Sequence, residues 1–478
     1  MNLYELFKDT ASRYPEKTAV VEGNRSVSYR DLDAVISVLA KDLEKLGAAP
    51  GQMIGLCFAN SIAYIALTYA LWKIDAAVVP VDVDFTEDEI RQVCDRMQLA
   101  AMISHKGESG WVEARCPFID TPYYFRSMDV YSGLESDIHI AFVRFTSGTT
   151  GERKGVVLSH ERIAERISAV NRALNITPDD NILWILPMSH HFVSTIVLFL
   201  ASGAALVLAG GIWSKSILKT VNSGHVTLLY ASPFHYSLLA ADQSGLMMPE
   251  VRLAISTAIG LPGHIHERFS GRFGLPLAQA YGIIEIGVVC INTENPGGKP
   301  GSVGRVLPDY RVSVENAQAY SGPEGMECGE LFFSGPGFFD GYFYPRIDEK
   351  SALINGWFET GDIGGRDKEG FLFLYGRKNH VINTAGMKIF PQEIEAHLNR
   401  HPSVKESCVY GRKHDRFGQT VAAMVVLNST AEETDEETLR RFCSRSFTAY
   451  KVPSQIFFTD HIEKTATGKI IRPGEQEG

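Results

Sequence analysis

The run Phe145-Thr146-Ser147-Gly148-Thr149-Thr150-Gly151-Glu152-Arg153-Lys154-Gly155 packs hydroxyls, glycines and a lysine into one short stretch. Glycines let the backbone turn and bring N–H groups up to an anion. Hydroxyls donate to phosphate oxygens, and an ammonium adds a charge-assisted contact. This is chemistry for holding a polyphosphate. The pattern G-x-x-x-x-G-K-[ST] is not met, because Arg153 stands where its second glycine would be. Read without its surroundings, the run is also compatible with a flexible linker between two strands.

The spacing Thr-Ser-Gly-Thr-Thr-Gly-x-x-Lys-Gly resembles the phosphate loop of the adenylate-forming ligases: acyl-CoA synthetases, aryl-acid ligases and peptide-synthetase adenylation domains. By that resemblance Thr146, Ser147, Gly148, Thr149, Thr150 and Lys154 bind ATP. Four later segments match the same family in order. In Ala280-Tyr281-Gly282-Ile283-Ile284-Glu285 the resemblance implies that Tyr281 stacks on adenine beside Gly282, and that Glu285 is catalytic and holds Mg²⁺. An aromatic face suits a base, and a hard carboxylate suits Mg²⁺. The family usually has Thr where this chain has Ile284, so one phosphate contact is lost or supplied elsewhere. Gly356-Trp357-Phe358-Glu359-Thr360-Gly361-Asp362 resembles the segment whose aspartate binds the ribose diol, as Asp362 would here.

The segment 376–395 resembles the family's hinge region. Arg377 would reach the ribose, Asn379 would be the hinge of a mobile C-terminal domain, and Gly386 would flank the pantetheine tunnel. In Lys464-Thr465-Ala466-Thr467-Gly468-Lys469, the last lysine matches the catalytic lysine bridging carboxylate and α-phosphate during adenylation. An ammonium there offsets charge that develops in the transition state.

Leu186-Pro187-Met188-Ser189-His190-His191-Phe192 resembles the segment lining the acyl pocket. The resemblance gives His190, His191, Phe192, Thr195, Ile255, Thr257, Val288 and Val289 as the substrate-binding set. Amino-acid-activating members carry an aspartate just after this segment, and none stands here between Asp180 and Asp242. A buried ammonium without a partner is costly, so a non-amino aryl or acyl acid is expected. ATP and Mg²⁺ are the implied cofactors. CoA, or the phosphopantetheine of a separate acyl carrier protein, is the implied thiol acceptor. A non-thioester outcome, or nucleotide binding with weakened catalysis, stays open.

These residues need elements to position them. Residues 140–145 and 156–158 read as strands on either side of the loop. Helices are read over 3–13, 31–46 and 62–73, and short strands over 19–21, 26–29, 54–58 and 77–81. The alternation resumes through strands at 226–230, 253–256 and 277–281 and helices at 234–241 and 264–273. Such alternation predicts an α/β fold with largely parallel pairing. From about residue 295 short β-rich runs dominate (301–304, 311–314, 330–333, 371–375), which predicts an antiparallel sheet or small β-barrel. Beyond 379 come helices at 391–399 and 435–446 and strands at 406–410 and 421–427. The expected organisation is a large N-terminal domain, 1–378, with packed α/β sheets and the small barrel. A smaller mobile α+β domain, 379–478, carries Lys469.

Composition sets limits. The chain has 478 residues, 45% of them apolar and 21% charged, which fits a packed globular protein of more than one domain. A formal charge of −10 without any Lys/Arg block argues against a nucleic-acid partner. The seven cysteines never take Cys-x-x-Cys spacing and predict reduced thiols in a cytoplasmic setting. The uncharged stretch 181–214 is broken by Gly203 and Gly210-Gly211, so a buried helix, a turn and a buried strand are expected there and no stable membrane insertion. The motifs H-E-x-x-H, G-x-S-x-G and G-x-G-x-x-G are not found.

Overall fold

The computed structural model describes residues 2–116, 121–128, 138–146, 154–320, 326–428, 434–464 and 470–473. Two large sheets enclose a layer of helices. The first has eight strands, parallel from Thr18–Glu22 through Ala205–Leu208, Asn181–Trp184, Leu228–Ala231 and Leu253–Ser256 to Leu277–Ile283. Antiparallel strands Arg25–Ser28 and Gly287–Ile291 close its edges. The second has nine strands and a parallel centre of Ala101–Ser104, Met53–Cys57, Ala77–Pro80 and Ile140–Thr146.

Period-two alternation divides each strand between two cores. Ile182, Trp184, Leu206, Leu208, Leu228 and Tyr230 face the central helices. Leu183, Val207, Leu229 and Ala231 face an outer layer that includes Ser214–Ser223, Pro233–Ala241 and Gly263–Phe273. In the second sheet Ile54, Leu56, Val78 and Phe142 face the centre, while Met53, Val79, Val143 and Phe145 face outward. The central helix Ile62–Lys73 lies between the sheets, so it is buried all round and apolar on every face. The uncharged stretch resolves into the helix Ile196–Ala201, a turn at Gly203 with φ +79°, and the strand Ala205–Leu208. Among the described residues no helix is long and apolar enough to cross a membrane.

The β-rich region is a four-stranded antiparallel sheet of Arg311–Glu315, Glu327–Ser334, Phe358–Arg366 and Leu372–Arg377. The barrel expected there takes the form of this sheet, whose two outer strands do not pair with each other among the described residues. The segment 301–304 is not a strand. Gly304 sits at φ +94°, and a Cβ there would meet the Ile291 backbone at 2.5 Å, so the chain bends and only an isolated bridge to Leu372 forms. Beyond Arg377 comes the one-turn helix Lys378–His380. A last five-stranded sheet then packs against the helices Pro391–Leu398 and Glu436–Ser444.

Candidate functional site

Several candidate residues stand in the chain just past the carboxyl ends of parallel strands, where open α/β sheets place ligands. The phosphate-loop residues follow Ile140–Thr146, His190 follows Asn181–Trp184, and Glu285 follows Leu277–Ile283. Ser147, Gly148, Thr149, Thr150 and Lys469 lie outside the described residues, and Thr146 is placed as the last residue of its strand.

Asp362 and Arg377 are direct cross-strand partners in the antiparallel sheet. Arg377 Nε lies 2.9 Å from Asp362 Oδ1, and a terminal nitrogen donates to the Thr360 carbonyl at 2.7 Å. Tyr281, from the end of the eight-stranded sheet, donates its hydroxyl to Asp362 Oδ2 at 2.6 Å. Burial, and then the Asp362 charge, push the Tyr281 phenol well above its ordinary range, so it stays a donor. The three residues assigned to adenine and ribose by resemblance therefore form one hydrogen-bonded cluster.

Gly282 is explained by a close crossing. A Cβ there would lie 2.2 Å from the Gly287 carbonyl oxygen, across the hairpin that carries Glu285. Glu285 is half-buried, and Tyr342 donates its hydroxyl to Glu285 Oε1 at 3.1 Å. Lys154 Nζ sits 4.7 Å from the centre of the Tyr342 ring, so the ring joins the end of the phosphate loop to the carboxylate. Among the described residues no cluster of three or more His, Cys, Asp or Glu could cage a metal. A single carboxylate fits Mg²⁺ delivered with nucleotide phosphates, since Mg²⁺ favours one or two carboxylates plus phosphate oxygens and water.

His190 lies in a charged chain that its sequence neighbours do not reveal. Its Nε2 is 2.9 Å from Asp82 Oδ2, and Arg144 donates to both its Nδ1 and its backbone carbonyl. Arg144 alternates with the outward-facing Val143 and Phe145, and therefore points inward. Burial pushes its guanidinium down to about 10, and the Glu285 carboxylate is the strongest opposing influence. Hydrogen bonding from His190 holds the Asp82 carboxyl below its usual range. Asp82 thus brings a carboxylate to a segment that has none nearby in sequence.

The other acid-pocket candidates divide. The ring centroids of Trp184 and Tyr230 lie 6.2 and 6.5 Å from that of His191. Tyr230 donates to Thr257 Oγ1 at 3.4 Å and pairs in register with Ile255. Phe192 is fully buried against Tyr64, Tyr69 and Trp72. Thr195 spends its hydroxyl on the His191 carbonyl at 2.7 Å. Val288 and Val289 are adjacent in one strand and face opposite ways, so a single pocket takes only one of them.

Further along, Lys378 pairs with Glu330 at 2.7 Å and Glu359 at 2.9 Å, which anchors the chain just before exposed Asn379. Gly386 has φ +88° in the turn between Ile382–Thr384 and Met387–Ile389, with open space where a Cβ would stand. The residues flanking the Lys469 segment are tied down. Lys464 bridges Ile470, and Arg472 lies 2.6 Å from Glu395 Oε1 and donates to the Val409 carbonyl at 3.1 Å.

The AMP-binding enzyme profile matches residues 7–343, and the AMP-binding enzyme C-terminal domain matches residues 393–469. The chain belongs to the AMP-binding enzyme family. Within this family it is similar to 2-succinylbenzoate–CoA ligase of Geobacillus kaustophilus, at 28% identity over 97% of this chain and 96% of that protein. It is also similar to oxalate–CoA ligase of Arabidopsis thaliana, at 27% identity over 98% of this chain and 96% of that protein. The fold matches the O-succinylbenzoate CoA synthetase of Bacillus subtilis, a structure in complex with AMP, with a TM-score of 0.85. That match has 21% identity and covers 100% of this chain and 98% of the other.

Sequence reading missed Asp82, Arg144 and Tyr342. Asp82 gives no local signal, because it meets His190 only through the fold. Arg144 was legible as a lone charge in an apolar strand, and Tyr342 as an aromatic beside Gly341, the two forming a short strand.

Proposed function

We propose that this AMP-binding enzyme activates a carboxylic acid with ATP and passes the acyl group to CoA. The observation that carries the reading is the Tyr281–Asp362–Arg377 cluster, three residues from separate segments joined by hydrogen bonds and an ion pair. In the first step a carboxylate oxygen attacks the α-phosphorus, the bond to the β-phosphate bridge breaks, and pyrophosphate leaves. In the second the thiol sulfur attacks the acyl carbon, the bond to AMP breaks, and the thiol proton is lost.

Tyr281, Asp362 and Arg377 would hold the nucleoside. Residues 146–150 and Lys154 would hold the phosphates, and Glu285 would meet Mg²⁺. Bound there, Mg²⁺ supplies charge neutralisation on phosphate oxygens. Tyr342 keeps the Glu285 carboxylate oriented, and Lys469 would offset charge at the α-phosphorus. Asn379 would be the hinge between the units 1–378 and 379–478, and Gly386 would lie on the pantetheine path. Seven free cysteines, all buried except half-buried Cys94, support a reduced cytoplasmic setting.

The acid would be a non-amino aryl or acyl acid read by His191, Ile255, Thr257 and one of Val288 or Val289. The names of the relatives put 2-succinylbenzoate and oxalate first in a test panel. The test is acid-dependent pyrophosphate release with CoA, and in parallel with carrier proteins, over aryl, acyl, dicarboxylic and amino acids. Release with a non-amino acid and capture by CoA is expected. Turnover of proteinogenic amino acids alone would overturn the acid reading. Capture only by carrier proteins would overturn the CoA reading. If His191 bonds a polar substituent, His191→Ala penalises substituted acids over their unsubstituted analogues by roughly 0.5–1.5 kcal/mol. A uniform loss would make His191 structural.

A further inference from the structure

Arg166 is 1% exposed, on the helix His160–Leu174 that follows the phosphate-loop hairpin. Among the described residues no carboxylate lies within ion-pair distance of it. Its partners are backbone carbonyls. Nε and one terminal nitrogen donate to Gly337 O at 2.9 and 2.6 Å, and the other terminal nitrogen donates to Ile284 O at 3.0 Å. A weaker contact reaches Glu285 O at 3.4 Å. A buried cation is tolerated only where dipoles replace its water, and here those dipoles belong to Gly337 and to the turn that carries Glu285. Burial pushes the guanidinium down to about 10, still charged at neutral pH.

The same turn is held from its other side. Phe339 N–H donates to Glu285 O at 2.8 Å, and Tyr342 meets the Glu285 side chain. Gly337 lets this segment press on the helix. It has φ +67°, and a Cβ would meet Arg162 O and Arg166 N at 2.7 Å. A planar guanidinium holds its donors in a rigid, spread fork that reaches carbonyls of two segments in one fixed geometry, whereas an ammonium is a compact point donor that fixes no such geometry. Ile284 has no side-chain hydroxyl to offer a ligand, so its fixed feature is the backbone carbonyl under Arg166.

We propose that Arg166 is the positioning residue for Glu285. It ties the Ile284–Glu285 turn to the 337–342 segment and so fixes the direction from which the carboxylate meets the metal–nucleotide. This rests on the proposed function. Its test is chosen to be readable without any acid: Mn²⁺ binding in the presence of a non-hydrolysable ATP analogue, followed by electron paramagnetic resonance.

Arg166→Lys keeps the charge and loses the fork. Gly337→Ala displaces the carbonyl that receives two of the bonds. Each folded variant is expected to bind Mn²⁺ roughly ten-fold more weakly than the parent, on the scale of one or two lost charge-assisted bonds. The Mg²⁺ midpoint of pyrophosphate exchange should move in parallel, while thioester formation from synthetic acyl-adenylate stays near the parent's rate. If either folded variant shows parental Mn²⁺ affinity with only a lower melting temperature, Arg166 is a structural residue and the proposal is wrong. Failure of the parent to exchange pyrophosphate with any acid would instead count against the proposed function.

Discussion

The Tyr281 hydroxyl donates to the buried Asp362 carboxylate at 2.6 Å, tying the end of the eight-stranded sheet to the antiparallel sheet. Arg377 takes the other oxygen. Asp362→Asn removes the charge facing Arg377, and Tyr281→Phe removes one bond. Tyr281→Phe should weaken ATP binding by roughly three- to ten-fold, the scale of a single hydrogen bond. Asp362→Asn should cost more, because breaking a buried pair strands the other charge. Calorimetric titration with ATP checks both. Parental affinity in both variants would remove the cluster from the nucleotide site.

In sequence Lys469 lies between Lys464 and Ile470, which form a bridge, and it precedes the Arg472–Glu395 anchor. Lys469→Ala should slow adenylate formation by about 10²–10³, as expected for loss of one charge-stabilising donor. Thioester formation from synthetic acyl-adenylate should survive. Equal loss in both half-reactions would show that Lys469 acts in neither step specifically.

For Gly386, backbone and bulk are separable. Its φ of +88° penalises any side chain, while a Cβ meets open space. Gly386→Ala brings the strain alone, about 1 kcal/mol. Gly386→Leu adds bulk. Leucine should leave pyrophosphate exchange near normal and suppress thioester formation well beyond alanine. Matching thioester rates in the two variants would place Gly386 off the thiol path.

Much of this was legible along the chain. Residues 3–13 form the expected helix because their apolar spacing matches the face it buries, and 62–73 and 253–256 form the expected helix and strand as apolar runs. The cluster of Tyr281, Asp362 and Arg377 could be named from local motifs, since each sits in its own turn or strand end. Asp82 could not be. Its partner is 108 positions away, and the two residues follow strands of different sheets, so only the packing of the two large sheets brings them together. The pocket set was least legible, because burial decides it. Phe192 has the type of a pocket residue yet packs on Trp72. Thr195 caps its own turn.

His160 gives a pH dependence that can be measured. It is fully buried, and its Nδ1 accepts from the Leu3 N–H at 3.1 Å, docking the first helix. Burial, with His139 adding to it, pushes its pKa down to about 3 from 6.5. A depressed histidine stabilises the fold fully above the unfolded value and loses that contribution as pH falls toward the folded value. Stability should therefore decline between about pH 6.5 and 3, by up to ~1.4 kcal/mol per pH unit from this group. Urea unfolding across that range checks it. In His160→Gln the slope should flatten by about one proton, and an unchanged slope would show that other groups control the acid limb.

The central claim concerns which phosphate bond breaks. With an acid that supports turnover, and with CoA present, nucleotide products should be resolved by anion-exchange chromatography. One AMP and one pyrophosphate should appear for each CoA thioester formed. Formation of ADP and orthophosphate would mean attack at the γ-phosphorus and would contradict the adenylation account.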